Sequence, residues 1–188
     1  EIAQCLVGSE MCIRDSSNLK TVMDFSFFDK INTAKNEQTE TWFKGLDRIY
    51  NNFVYDFLYP NPASVLAFIE NHDTDRFLGE GNNLPMLKQA STLLLTTRRI
   101  PQLYYGTEVM MNGVKSKSDG YVRKDFPGGW TGDATNALTP AGRTKIQNEC
   151  YDFYKTILNW RKGNDVIAKG SMVQFCLLYT SDAADDLT

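Results

Sequence analysis

The sequence has few of the residues that build metal centres, disulfide frameworks or nucleic-acid surfaces. Histidine occurs once, as His72, which excludes multi-histidine metal sites such as the two-histidine zinc helix. Cys5, Cys12 and Cys176 lie close to the chain ends, and Cys150 alone supports neither a disulfide framework nor a thiolate metal site. Runs of Lys and Arg never exceed two residues, and no apolar run is long enough to cross a bilayer. We therefore expect no nucleic-acid partner and no membrane span.

The two ends of the chain resemble translated sequencing adaptor rather than protein. If residues 10–15 are encoded GAG-ATG-TGT-ATA-AGA-GAC and AG follows, the complementary strand contains TGT-CTC-TTA-TAC-ACA-TCT. That strand encodes Cys-Leu-Leu-Tyr-Thr-Ser, which is the sequence of residues 176–181. We therefore interpret residues 1–16 and 176–188 as adaptor artefact and exclude them from the fold prediction. The net charge of −3 depends on these ends, because residues 17–175 hold 19 Lys and Arg against 17 Asp and Glu.

Between these ends, short apolar segments alternate with helical patterns, which predicts one α/β region. We expect strands at residues 21–27, 64–69 and 102–105, and helices at residues 40–52, near 85–97 and from 139 to about 163. The last helix should bury an apolar face made of Ile146, Cys150, Phe153, Ile157 and Trp160. Residues 107–138 are rich in Gly, Ser, Asp and Asn, which predicts a long loop that is too polar to pack as core. Residues 171–175 would begin a strand of a following β-domain.

The most informative segment is Phe-Ile-Glu-Asn-His-Asp at residues 68–73, where an apolar run ends at the chain's histidine and an aspartate. Residues 64–69 are short and β-favouring, which fits a buried parallel strand. In barrels of alternating strands and helices, reacting groups come from the C-terminal strand ends, which is where Asn71, His72 and Asp73 would lie. A capped loop with a hydrogen-bonded histidine explains the same motif equally well.

Three segments, in order, resemble motifs of the α-amylase family, glycoside hydrolase family 13. Residues 68–73 are similar to that family's Phe-x-x-Asn-His-Asp segment at the seventh barrel strand. Ile-Pro-Gln-Leu-Tyr-Tyr-Gly-Thr-Glu at residues 100–108 is similar to its segment at the eighth strand, and Thr-Val-Met-Asp-Phe at residues 21–25 resembles the sixth. The spacing of these segments, together with Arg-Lys-Asp-Phe-Pro-Gly-Gly-Trp at residues 123–130, most resembles the neopullulanase and cyclomaltodextrinase branch. The resemblance covers residues 18–175.

The resemblance implies a fold and a division into domains. Residues 17–163 would be the C-terminal part of a glycosidase barrel, comprising about the last three β/α units of a TIM (β/α)8 barrel of the α/β class. Residues 164–175 would be the start of a C-terminal β-domain. Three units cannot close a barrel that needs eight, so we expect the chain to be a piece of a domain.

The resemblance also implies the chemistry of a parent enzyme, a retaining hydrolase of α-glucans or maltodextrins. Retention requires a nucleophilic carboxylate and an acid/base carboxyl about 5 to 5.5 Å apart. In the family both lie upstream of the position of Thr21, so the fragment is expected to be inactive alone. Asp73 would be a third carboxylate, which stabilises the transition state by binding sugar hydroxyls. His72 would hydrogen-bond the same sugar, Asn71 would orient the loop, and Arg76 and Trp130 complete the predicted substrate-binding set.

Several of these residues also have plainer interpretations. Arg76 would pair with Asp73 or Asp75 in a surface salt bridge of little energetic worth. Trp130 would either stack on a sugar face or pack its loop onto the domain. Glu70, Asp73 and Asp75 together suggest an oxygen-ligated metal, which we reject because loop acids are more often solvated or capping. No metal site is therefore predicted.

Arg99 departs from the family pattern, in which glycine usually precedes the Ile-Pro pair. A long cation needs space that a glycine position does not offer, so we expect the start of this strand to differ from the family, or a read error at this codon. Tyr104 and Tyr105 are interpreted first as core or barrel-rim residues, and Glu108 as structural.

The parent function has alternatives. A non-catalytic relative would keep the barrel but lack the upstream carboxylates, and a transglycosylase would use the same scaffold with better exclusion of water. A carbohydrate-binding module is disfavoured, because such a module would more often show all-β alternation. We predict no cofactor in this chain, and a calcium site of the parent is not readable from it. By resemblance the parent would be a bacterial protein of the cytoplasm or periplasm.

Overall fold

The computed structural model describes residues 21–37 and 44–173. Within these residues there are six α-helices and two short strands, in the order α1 (Phe25–Ala34), α2 (Leu46–Val54), β1 (Leu66–Ala67), α3 (Leu84–Thr96), β2 (Ile100–Pro101), α4 (Asp119–Val122), α5 (Lys145–Lys162) and α6 (Asp165–Lys169). The same part of the chain contains four 3-10 helices, at Tyr55–Leu58, Pro62–Ser64, Thr107–Val109 and Pro140–Gly142. No helix in residues 21–37 or 44–173 is long and apolar enough to cross a membrane.

Three short segments pair in parallel: the two strands β1 and β2, and a single bridge at Met23. β1 pairs with β2 in the register Leu66 to Ile100 and Ala67 to Pro101, and Met23 forms a parallel bridge with Leu66 on the other side of β1. Backbone bonds from Asp24 N to the Leu66 carbonyl (2.7 Å) and from Gln102 N to the Ala67 carbonyl (2.8 Å) extend the pairing by one residue on each side. The strand order along the sheet therefore follows the order of the sequence segments.

The predicted strand at residues 21–27 is wrong beyond Asp24. The Asp24 carboxylate accepts a hydrogen bond from the backbone N–H of Phe27 (2.8 Å), which caps α1 and turns residues 25–27 into its first turn. Phe27 and Ile31 then enter the core from one face of the helix. Aromatic composition favoured a strand, but the local cap determines where the helix begins.

The predicted strand at residues 102–105 is also wrong, because the ladder ends at Gln102. The carbonyl of Tyr105 accepts from Arg76, and the carbonyl of Tyr104 accepts from Thr107 N (3.3 Å), so the backbone turns instead of pairing. Gly106 permits this turn with φ of 82°, and a Cβ at that position would collide with the side chain of Met111.

The three predicted helices are present as α2, α3 and α5, whereas α1, α4 and α6 were not predicted. α3 begins after Asn83, whose side chain caps it, and carries Pro85 in its first turn. α5 begins later than predicted, since Thr144 and Gln147 form a capping box, and it ends at Gly163 as expected. α2 begins at Leu46, and the predicted start at residues 40–43 lies outside the described residues.

The core lies where α1, α3 and α5 meet the sheet. Its central side chains include Phe27, Ile69, Leu87, Leu94, Leu95, Cys150 and Tyr154. The apolar face predicted for α5 is correct at Cys150, and Phe153 and Ile157 pack partly buried against the core. Ile146 and Trp160 are 39% and 46% exposed, and Tyr154 was missed. Tyr154 is buried because its hydroxyl finds a partner in Ser91 (2.5 Å) on α3.

The predicted long loop at residues 107–138 is mostly irregular, as expected, but it does contribute to the buried interior. Val109, Met110, Val122 and Ala137 are buried, because the loop folds back against α5 and the segment after β1. Residues 164–175, predicted to open a β-domain, begin instead with α6, which Asn164 caps. Of the strand predicted at residues 171–175, residues 171–173 form no strand, and residues 174–175 lie outside the described residues.

Candidate functional site

The segment after β1 changes from buried to exposed within three residues. Glu70 and Asn71 are each 2% exposed, whereas the side chains of His72 and Asp73 are each 58% exposed. Asn71 makes this turn, since its backbone N–H donates to Thr74 Oγ1 (2.9 Å) and its Oδ1 accepts from Asp73 N (2.8 Å). Asn71 therefore shapes the turn, and its buried side chain faces the protein, so its place in the substrate-binding set stays a prediction. We call residues 71–75 the site turn.

Asp73 presents an exposed carboxylate that is held from two sides. His72 Nε2 lies 3.1 Å from Asp73 Oδ2, and the Arg123 guanidinium lies 2.9 Å from Asp73 Oδ1. Arg123 Nε also donates to the backbone carbonyl of His72 (2.9 Å). Because each carboxylate oxygen can accept more than one hydrogen bond, Asp73 retains capacity to bind hydroxyl groups.

Lys115 holds the same turn from the neighbouring loop. Its Nζ donates to the backbone carbonyl of Asp73 (2.9 Å), and its backbone N–H donates to Asp75 Oδ1 (2.5 Å). Sequence reasoning missed both Lys115 and Arg123, because they come from a loop 40 to 50 positions further along the chain. Arg123 stands in the quoted segment at residues 123–130, which was the available signal.

Glu70 and Arg76 form a buried pair beneath the site turn. Arg76 NH1 lies 3.5 Å from Glu70 Oε1, and the side chains are 0% and 2% exposed. Glu70 also accepts from Phe77 N (2.5 Å) and from the Thr107 hydroxyl. Burial raises the pKa of Glu70 above its ordinary value, and the bonds from Thr107 and Phe77 oppose that shift. Glu70 therefore joins the segments after β1 and β2 and is not a solvated loop acid.

The structure corrects the prediction for Arg76. Its side chain is completely buried, so it neither forms a surface salt bridge with Asp73 or Asp75 nor reaches a sugar bound over the turn. Its Nε donates to the Val122 carbonyl (3.0 Å) and its NH1 to the Tyr105 carbonyl (2.6 Å), while the guanidinium lies 3.9 Å from the Tyr104 ring centroid. Two backbone carbonyls from separate segments bind this one cation, which makes Arg76 a positioning residue.

Trp130 is 70% exposed, so the interpretation in which it packs onto the domain is not supported. Its backbone N–H donates to Asp133 Oδ2 (3.0 Å) within a loop that follows Gly128 and Gly129. The indole ring is therefore available to a ligand.

The Arg99 guanidinium is buried between two carboxylates. It is 1% exposed, with NH1 2.9 Å from Asp24 Oδ2 and NH2 2.5 Å from Asp56 Oδ1. Burial raises the pKa of Asp24, and the charge of Arg99 opposes that rise. Both carboxylates come from other elements, so the space that Arg99 needs is built by the fold. A read error is not needed to explain this residue.

The described residues offer little other chemistry. In residues 21–37 and 44–173, no group of three or more His, Cys, Asp or Glu side chains is arranged to hold a metal ion. Burial raises the pKa of the Cys150 thiol to about 12, which makes it a poor nucleophile. The arrangement as a whole presents an exposed carboxylate and imidazole on a rigid support, which suits binding of hydroxyl-rich ligands.

The chain is similar in sequence to curated proteins of known activity. No family model matches the chain. The chain is 32% identical over 154 residues to a cyclomaltodextrin glucanotransferase of Thermoanaerobacterium thermosulfurigenes, covering 82% of this chain and 19% of that protein. It is 29% identical over 154 residues to an α-amylase of Niallia circulans, covering 82% of this chain and 25% of that protein.

Among solved structures, an α-amylase from Geobacillus thermoleovorans complexed with acarbose matches with a TM-score of 0.63 and 23% identity, covering 85% of this chain and 33% of that one. This likeness shows that the described fold is that of part of an α-amylase. The chain spans about a fifth to a quarter of the length of the curated relatives named above. Over 82% of its length, the chain is thus related to the enzymes of the α-amylase family.

Proposed function

We propose that the chain is part of a retaining α-glucan or maltodextrin hydrolase, in which Asp73 binds sugar hydroxyls and stabilises the transition state. The observation that carries the proposal is the exposed Asp73 carboxylate beside His72, at the C-terminal end of a parallel strand, in a chain related to α-amylases. His72 and Trp130 are the further candidates for sugar contact, and Asn71 acts by shaping the turn.

The proposal includes the extent of the domain. Residues 17–163 would supply about the last three units of a TIM barrel, which the parallel order of Met23, β1 and β2 supports. Residues 164–175 would lead into a C-terminal β-domain, while residues 1–16 and 176–188 would be adaptor. Membership of the neopullulanase and cyclomaltodextrinase branch is also part of the proposal. It rests on the motif spacing, because the curated relatives described above are a glucanotransferase and an α-amylase.

A transglycosylase on the same scaffold is the second candidate. It is favoured by the cyclomaltodextrin glucanotransferase that is 32% identical to the chain. The two candidates share the role of Asp73 and differ in whether water or a second sugar accepts the glycosyl group. Disproportionation of maltotriose into longer and shorter oligosaccharides would indicate the transglycosylase.

The first experiment is to extend the coding sequence in both directions from primers inside residues 65–160 of the source DNA. The hydrolase proposal expects an upstream Gly-x-Arg-x-Asp strand end and a strand-end glutamate. A frame that lacks both acids would instead indicate a non-catalytic relative. Genomic sequence continuing through residues 1–16 or 176–188 would contradict the adaptor interpretation.

The extended protein then tests Asp73 directly. Asp73→Asn keeps the shape of the side chain and removes its charge, so kcat on maltotriose should fall about 10²- to 10³-fold. Asp152→Asn, on the exposed side of α5, is the matched control and should leave kcat unchanged. Equal activity of Asp73→Asn and the unsubstituted protein would overturn the proposed role.

A further inference from the structure

The strongest unassigned contact is that between Arg123 and the site turn. Arg123 Nε donates to the His72 carbonyl (2.9 Å), and its NH2 lies 2.9 Å from Asp73 Oδ1. One guanidinium therefore holds both the backbone of His72 and the carboxylate of Asp73. The planar fork of an arginine is suited to such a two-point contact.

Arg123 is itself placed by buried structure. It directly follows α4 and Val122, which is 0% exposed and whose carbonyl accepts from the buried Arg76 (3.0 Å). The guanidinium of Arg123 also lies 3.3 Å from Asp119 Oδ2, at the start of α4. The short helix and the site turn are therefore joined twice, by Arg76 below and by Arg123 at the surface.

We propose that Arg123 is a positioning residue that holds the Asp73 carboxylate and the His72 backbone in the orientation required to bind sugar. This inference rests on the proposed function and adds a residue to it. The Arg123 and Asp73 side chains are 40% and 58% exposed, so their ion pair contributes little to global stability. Its effect lies in orientation, because a small misplacement of a binding group is costly.

The test uses the 188-residue chain and three variants. Arg123→Gln removes the cation, Arg123→Lys keeps the charge but loses the two-point fork, and Lys124→Gln is the control. Lys124 is adjacent, and its ammonium lies over the Tyr121 ring (3.5 Å to the centroid), so the control removes one nearby positive charge. Thermal unfolding of each variant establishes that it is folded.

Two NMR measurements report on the turn. Amide hydrogen exchange of Asp73 follows the bond from Asp73 N to Asn71 Oδ1, and the imidazole signals of His72 are unambiguous because the chain has one histidine. Arg123→Gln should accelerate Asp73 exchange about two- to fivefold and shift the His72 signals. Arg123→Lys should give an intermediate value, and Lys124→Gln should match the unsubstituted chain.

Titration with acarbose, followed at the His72 signals, separates this inference from the proposed function. Arg123→Gln should raise the dissociation constant about tenfold, with partial rescue in Arg123→Lys. If acarbose leaves the unsubstituted chain unchanged, sugar binding by this chain fails, while the exchange rates still decide whether Arg123 positions the turn. Exchange in Arg123→Gln equal to that in Lys124→Gln would overturn the inference.

Discussion

Glu70 and Asp73 are acids three residues apart with opposite environments. Glu70 is 2% exposed and accepts hydrogen bonds from Phe77 and Thr107, whereas the side chain of Asp73 is 58% exposed. The difference arises because the chain after β1 stays buried as far as Asn71, and the site turn then carries Asp73 to the surface. Glu70 is thus committed to internal contacts, and Asp73 is the acid that a ligand can reach.

Trp130 provides a prediction that separates binding from stability. Trp130→Ala should weaken acarbose binding about two- to tenfold, because the sugar loses the exposed indole ring on which it would stack. Its free energy of unfolding should change by less than about 0.5 kcal/mol, since the side chain is 70% exposed. Calorimetric titration and urea unfolding measure the two quantities.

Trp160→Ala removes a second exposed indole, on α5, and serves as the control for that titration. It should leave acarbose affinity unchanged. Equal affinity of Trp130→Ala and the unsubstituted chain would show that Trp130 takes no part in sugar binding.

Three elements are tied together by Arg99 at the start of β2. Asp24 precedes α1, and Asp56 lies in the 3-10 helix after α2. The Arg99 guanidinium lies 2.9 Å from a carboxylate oxygen of Asp24 and 2.5 Å from one of Asp56. Arg98 adds a second cation at Asp56 Oδ2 (2.8 Å). Substituting one member of such a buried cluster leaves the remaining charges without compensation.

Arg99→Gly, which restores the residue usual in the family, is therefore expected to destabilise this chain. The free energy of unfolding should fall by about 3–5 kcal/mol, because Asp24 and Asp56 stay buried with less compensation. Arg98→Gly is the control and should cost less, since the Arg98 side chain is 25% exposed. Urea unfolding gives both values, and unchanged stability in Arg99→Gly would contradict the importance of this cluster.

The stabilising contact between Glu37, which follows α1, and the start of α2 is expected to depend on pH. Glu37 accepts from Gly45 N (2.7 Å) and from Arg48 NH2 (2.6 Å), and these contacts, led by Arg48, lower the pKa of Glu37 from 4.5 to about 2. Because the folded-state pKa is depressed, the stabilisation is fully present above pH 4.5. It is lost as the pH falls through about 2.

Glu37→Gln should therefore show a flatter decline of the thermal midpoint between pH 4.5 and 2 than the unsubstituted chain. Arg48→Gln should flatten the same interval, since it removes the partner of the carboxylate. Parallel profiles for all three proteins would show that this ion pair does not contribute to acid stability.

The described residues supply one part of the catalytic chemistry that we propose for the whole enzyme. Its sheet has three short parallel partners, and it spans 19% to 25% of the curated relatives described above. Retaining hydrolysis needs two carboxyl groups about 5 to 5.5 Å apart, one to attack and one to transfer a proton. The proposed role of Asp73 is neither of these.

We therefore predict that the 188-residue chain does not hydrolyse maltotriose, whereas the extended protein does. Chromatography of the products over a long incubation detects glucose and maltose. The Asp73→Asn variant of the 188-residue chain sets the background. Product release above that background would show that the residues present suffice for catalysis.

Local signals in the sequence were enough to locate α3, most of α5 and the site turn, but α1, α4 and α6 were not predicted. Pro85 marks the first turn of α3, Gly163 ends α5, and the apolar run before His72 and Asp73 marks the end of a buried strand. Such signals act within a few residues, so they are visible without the fold. The strands were less predictable, because the cap at Asp24 and the turn at Gly106 override aromatic propensity.

The environment of each charge was decided by packing between distant segments. Arg123 lies 50 positions from Asp73, and Arg76 lies 46 positions from the Val122 carbonyl that it binds. Arg99 fits where the family usually has glycine because Asp24 and Asp56 lie around its guanidinium, which the sequence alone does not show. The sequence establishes which ionisable groups are present and where a strand ends, whereas burial and pairing depend on which segments the folded chain brings into contact.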